Sequence, residues 1–188
     1  STRAGLALLL GIVVIGIPMM GFYAFIDGLG TRLQVGQSDI AQIFAAQQIA
    51  SVAGALLAAR MGTRIGLRRG ILVGTVLHTA AIACAVLGGN SGAFAFGVVA
   101  EGFSFLFLLP VLFTLAALLD VSGRWAAAAN GALFIATGVA PALVGGLITQ
   151  HGYDSVAWLM LVATPLGLLA FASTARALEG PVSYTHLT

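Results

Sequence analysis

Residues 92–119 run for 28 positions with one charged side chain, Glu101. A hydrocarbon core of about 30 Å is crossed by about 20 mostly apolar residues in a helix. Such a run therefore fixes the solvent before it fixes the fold. Five more stretches qualify, at about 4–26, 40–60, 70–89, 126–149 and 154–175. Only 7% of the chain is charged and mean hydropathy is +1.06, against about 25% charged in an average soluble domain. The runs are solidly apolar, whereas β-barrel strands alternate over about ten residues. The expectation is an all-α integral membrane protein with six transmembrane helices and the lipid bilayer as its surroundings.

The chain has no lysine and eight arginines, which orient it. Arg3, Arg60, Arg64, Arg68, Arg69, Arg124 and Arg176 fall on one side of the six-helix path. Arg32 falls on the other, with Asp27, Asp39 and Asp154. Short loops rich in Lys/Arg stay cytoplasmic, so both ends are expected inside a cell membrane, a bacterial inner membrane in this reading. The basic residues sit in loops rather than along a basic face, so no nucleic-acid partner is expected. The single cysteine, Cys84, permits no internal disulfide. No metal site and no cofactor are expected.

Four arginines lie within residues 60–69, in the turn RMGTRIGLRRG between the second and third helices. Glycine keeps such a turn short, and arginine pairs with helix carbonyls, acids or anionic headgroups. The wider stretch GALLAARMGTRIGLRRGILVG, residues 54–74, resembles the signature loop of the major facilitator superfamily. Arg64 matches that motif's arginine, Gly66 its second glycine, and Arg68 and Arg69 its basic end. Arg60 and Gly62 complete the loop. Thr63 stands where the family prefers aspartate and Ala59 where it prefers the first glycine.

The resemblance implies two inverted three-helix repeats over residues 1–180, forming one half of a transporter whose partner is the missing other six-helix half. Glu101 before Gly102 replaces the arginine usual in helix 4 of the first half, so this is read as the C-terminal half and a fragment at both ends. The tail VSYTHLT is polar and resembles the translated end of a sequencing adapter. Residues 181–188 are accordingly read as non-native. The opening helix is too long for a signal-peptide core.

Polar groups at membrane depth are the candidate sites. Glu101 lies about ten residues into helix 4, about 15 Å from its outer end. A carboxyl group there is costly and marks function by default; it suits a group that binds and releases a proton. Tyr23 and Asp27 lie one turn apart on helix 1, Gln47 and Gln48 near the middle of helix 2, and Asn130 near the inner mouth of helix 5. With Glu101 they form the expected proton-coupling or substrate-binding set. The intrinsic pKa of an imidazole would suit a proton carrier at His78, but the resemblance puts helix 3 on the periphery, so it is read as a packing residue.

On helix 5, Gly131, Gly138 and Gly145 are seven apart, with Gly146 beside them. Small residues so spaced let helices approach closely in lipid, and Pro141 is expected to bend the helix. The family's antiporters carry a related Gly-Pro-x-x-Gly-Gly pattern, but here the proline is one residue too far from the glycine pair to carry antiport over.

The function expected is secondary active transport by alternating access. Proton-coupled efflux of a small organic molecule comes first, with proton symport as the alternative and a non-transporting scaffold as the alternative of another class. No enzymatic activity is expected. An intramembrane serine protease would need a glycine directly after Ser104 and a histidine on helix 6, and neither is present.

Overall fold

The computed structural model describes residues 2–61 and 66–178. Gly62, Thr63 and Arg64 of the signature loop, and the tail at 181–188, lie outside them. Six helices follow one another: α1 Thr2–Arg32, α2 Gln37–Met61, α3 Leu67–Leu87, α4 Ser91–Leu119, α5 Arg124–His151 and α6 Asp154–Leu178. Each is long and apolar enough to cross a membrane, and no strand occurs among the described residues. The chain is a multi-pass membrane protein.

The helices extend past the apolar runs where the chain supplies local stops. α1 continues through Asp27 to Arg32 and ends in a turn at Gln34, which takes φ 60°. α3 stops at Leu87 because Gly88 bonds back to the Cys84 carbonyl and Gly89 adopts φ 67°. Asn90 then caps α4 by accepting from the Ala93 N–H at 2.9 Å. α5 runs unbroken through Pro141. A bare hydroxyl is costly away from water, and Thr79, Thr114, Thr137, Thr149, Thr164 and Thr174 each lie within donating distance of the carbonyl four residues back.

α4 packs between α2 and α3, and α1 packs between α5 and α6; α3 and α6 also meet. The consequence is a bundle with α1 and α4 at its centre and with α2 and α5 least covered. Close approach rests on glycine at two places above all. A Cβ at Gly54 would collide with the Phe103 carbonyl oxygen, and one at Gly102 would meet Gln47 Cγ at 2.5 Å and Ser51 Oγ at 2.7 Å. These two contacts press α2 onto α4 beside Glu101.

Of the four α5 glycines expected to serve packing, Gly145 alone has a close neighbour within these six helices. A Cβ at Gly131, Gly138 or Gly146 would meet nothing within 4 Å; at Gly145 it would meet the Phe25 ring. α5 instead buries Ala129, Ala132, Ala136, Ala140 and Val144 against α1. Those positions follow the three-and-four spacing of a single helical face.

Candidate functional site

A cavity of about 300 Å³ opens between the α1/α5 pair and the α2/α4 pair. Tyr23, Gln47, Gln48 and Glu101 line it together with Ser51 and Thr137. Apolar side chains, among them Met20, Phe105 and Phe134, supply the rest of its wall. Four of the six residues expected at the site are thus brought together. Asp27 is not among them: it is exposed near the end of α1, where its carbonyl accepts from Thr31 Oγ1. Asn130 is exposed on α5, one turn from Phe134 toward the Arg124 end, outside the lining. Toward that end the floor is dry, with Ile12, Ile15, Leu108, Leu112 and Leu133 around a gap of about 30 Å³.

Glu101 sits ten residues after Ser91, the first residue of α4, so about 15 Å along the helix. It is 2% exposed. Gln47 Nε2 donates to its Oε2 at 2.7 Å across 54 residues of sequence. On the other side His78 Nε2 stands 4.0 Å from its Oε1. His78 Nδ1 is 3.1 Å from Ser104 Oγ, and that hydroxyl donates to the Glu101 carbonyl at 2.9 Å. The Phe105 ring lies 6.3 Å from the imidazole, centroid to centroid.

His78 was the residue sequence reasoning discounted. It is fully buried and faces α4 rather than the periphery. α3 is as well covered as α1, and it turns His78 against Glu101, the one carboxyl group at this depth among the described residues. The signal was available, since His78 and Glu101 are the two titratable side chains nearest the middles of adjacent helices. Gln47 and Gln48 divide as helical geometry requires, the first buried and the second exposed. Among the described residues, three buried side-chain atoms have no hydrogen-bond partner: Gln47 Oε1, His78 Nε2 and Thr75 Oγ1. Two of the three belong to the groups that hold Glu101.

The arginines of the described residues gather at one end of the bundle. Arg3, Arg60, Arg68, Arg69, Arg124 and Arg176 lie in first or last turns there, and Arg32 lies at the opposite end. Arg32 is 5.7 Å from the centre of the Tyr153 ring. Between α4 and α5, Asp120 accepts from the Ser122 N–H and hydroxyl and from Arg124 Nε at 2.9 Å. These donors hold its carboxyl well below the usual carboxylate range, the Ser122 hydroxyl most of all. No group of three metal-ligating side chains occurs among the described residues.

Compared with known proteins, the sequence matches no family model and no curated relative.

Proposed function

We propose that these six helices are one half of a secondary transporter of the major facilitator type, exporting a small organic molecule in exchange for protons. The observation that carries the reading is Glu101, a carboxyl group buried at mid-depth and lining a cavity among four helices. Such a group is costly to bury, and in transporters it marks the ion or substrate pathway. Tyr23, Gln47 and Gln48 orient the substrate, and the apolar wall around Phe105 and Phe134 favours a lipophilic one.

The packing order supports two repeats. Exchanging α1–α3 for α4–α6 turns the α1–α5 and α1–α6 contacts into α4–α2 and α4–α3, which are the contacts present. Successive helices alternate in direction, so the two triplets run in opposite senses, as inverted-topology repeats do. α2 and α5 are the least covered helices, and the second six-helix half covers them, closing the cavity between the halves. The arginine-rich end faces the cytoplasm of a bacterial cell.

The test is a substrate panel on the full-length protein in proteoliposomes with an imposed pH gradient. Glu101→Gln keeps the fold and abolishes gradient-driven flux. Undiminished, pH-dependent flux by that variant overturns the role of Glu101. The direction of the pH change on adding substrate separates antiport from symport, which would use the same groups. A full-length protein that moves none of the panel, with or without the gradient, favours a scaffold.

A further inference from the structure

Ser104 decides how His78 holds its protons. A hydroxyl has one proton to give, and Ser104 Oγ gives it to the Glu101 carbonyl at 2.9 Å. With that proton on the Glu101 carbonyl, a lone pair of Oγ faces His78 Nδ1 at 3.1 Å, and this arrangement is the one that places the ring hydrogen on Nδ1. In the neutral ring the other nitrogen, Nε2, is then bare. That bare nitrogen is buried, has no hydrogen-bond partner, and lies 4.0 Å from Glu101 Oε1.

We propose that His78 is a second proton seat behind Glu101, so that the coupling proton is shared by the pair rather than held by the carboxyl alone. This deepens the transport reading and rests on it for its physiological meaning. The transfer balances within the pair: the Oε1–H bond of Glu101 breaks and the Nε2 lone pair takes the proton. The carboxylate left behind keeps the Gln47 N–H on Oε2, and the imidazolium keeps its Nδ1–H on Ser104. No other reactant is needed and the net charge of the pair does not change. A separation of 4.0 Å exceeds a hydrogen bond by about 1 Å. The proton therefore passes when α3 and α4 close by that amount, or through one intervening water.

The order of the seats follows from burial. Glu101 lines the cavity, while His78 does not and is 0% exposed. A proton from the cavity reaches His78 by way of Glu101. The other elements around the pair bring no charged group among the described residues. α2 contributes Gln47 and Gln48, α5 Thr137, α6 Thr164, and α1 Tyr23, the one other titratable side chain on the cavity.

The test uses the full-length protein in liposomes with ring-¹⁵N histidine and solid-state magnetic resonance, the His78 signal being assigned after the other histidines are replaced. The neutral ring is expected in the Nδ1–H form, and its titration is expected to change in Glu101→Gln, because coupled groups titrate as a pair. A neutral Nε2–H ring, or a titration indifferent to Glu101→Gln, overturns the proposal without requiring any variant of His78 to fold. Two coupled seats should give the parent a two-step pH profile of flux; His78→Asn, which preserves a donor toward Ser104 and removes Nε2, should reduce it to one step and drop proton-coupled flux toward the Glu101→Gln level. An unchanged profile in folded His78→Asn also overturns it. Loss of flux in Glu101→Gln with an indifferent ring leaves the transport reading standing and this one fallen. A coupled ring in a protein that transports nothing does the reverse.

Discussion

The two flanks of the bundle pack alike and bury different things. On one, α4 lies between α2 and α3 around Glu101, Gln47, His78, Ser51 and Ser104. On the other, α1 lies between α5 and α6 around Leu8, Ile15, Phe22, Val144, Met160 and Phe171. Where the dry flank brings a hydroxyl between helices, Thr174 Oγ1 lies 3.0 Å from both the Ala170 and the Ala4 carbonyls and shares its one proton between them, at the helix ends. Equivalent packing is thus reached without a polar cluster. The cluster on the α4 flank is not the solution to a packing problem, and burying it costs energy that apolar side chains would not. That difference is why function is assigned to one flank and support to the other.

The comparison can be broken first by volume. Gly54→Ala drives a methyl into the Phe103 carbonyl, which no rotamer change can move aside, whereas Gly145→Ala on the dry flank meets the far end of the Phe25 ring at 2.9 Å. Overpacking costs about 1–3 kcal/mol where neighbours can give. Gly145→Ala should fall within or below that range and Gly54→Ala beyond it, as read by thermal unfolding in detergent; the reverse ranking contradicts the packing described. Chemistry gives the next largest effect. Gln47→Leu removes the donor from Glu101 Oε2 and should cost about 0.6–2 kcal/mol, the range of hydrogen bonds between membrane helices. It should also shift the pH profile of flux, whereas Met160→Leu on the dry flank should leave that profile alone.

Smaller effects sharpen the edges of the account. Gly138→Ala should change unfolding by less than about 0.5 kcal/mol, since nothing lies where its methyl would go. A larger loss in the six-helix unit contradicts that open face. Asp120→Asn should have the smallest effect. A carboxyl held below its ordinary value contributes stability above that value and loses it as pH falls through the depressed one. The melting difference between parent and variant should therefore be flat above pH 3.8 and narrow below it. A difference that appears only in acid contradicts the Ser122 and Arg124 contacts.

Much of the fold was legible because hydropathy over 20-residue runs reports the solvent directly. All six helices lie where the runs lie, and the overshoot of α1 to Arg32 reflects an exposed Asp27 that a helix end tolerates. The depth of Glu101 was legible for the same reason. Its partners were not, because Gln47 and His78 are 54 and 23 positions away and depend on which helix faces meet. His78 shows the hazard of placing a residue by its helix. The helix expected on the periphery is as well covered as α1, and its buried imidazole meets the polar group of α4. The glycines of α5 show the converse. Seven-residue spacing picks out a face but not a neighbour: Gly145 meets the Phe25 ring, Gly131 and Gly138 meet nothing, and the alanines at 129, 132, 136 and 140 are the buried positions.

We propose Glu101 as the carrier of the proton that drives substrate movement. The most direct measurement loads proteoliposomes of the full-length protein with a transported substrate at equal pH on both sides and follows internal pH with an enclosed dye. The parent should shift internal pH as substrate leaves down its gradient, and Glu101→Gln should pass substrate with no pH change. A pH shift of parental size from the Glu101→Gln protein would contradict the account.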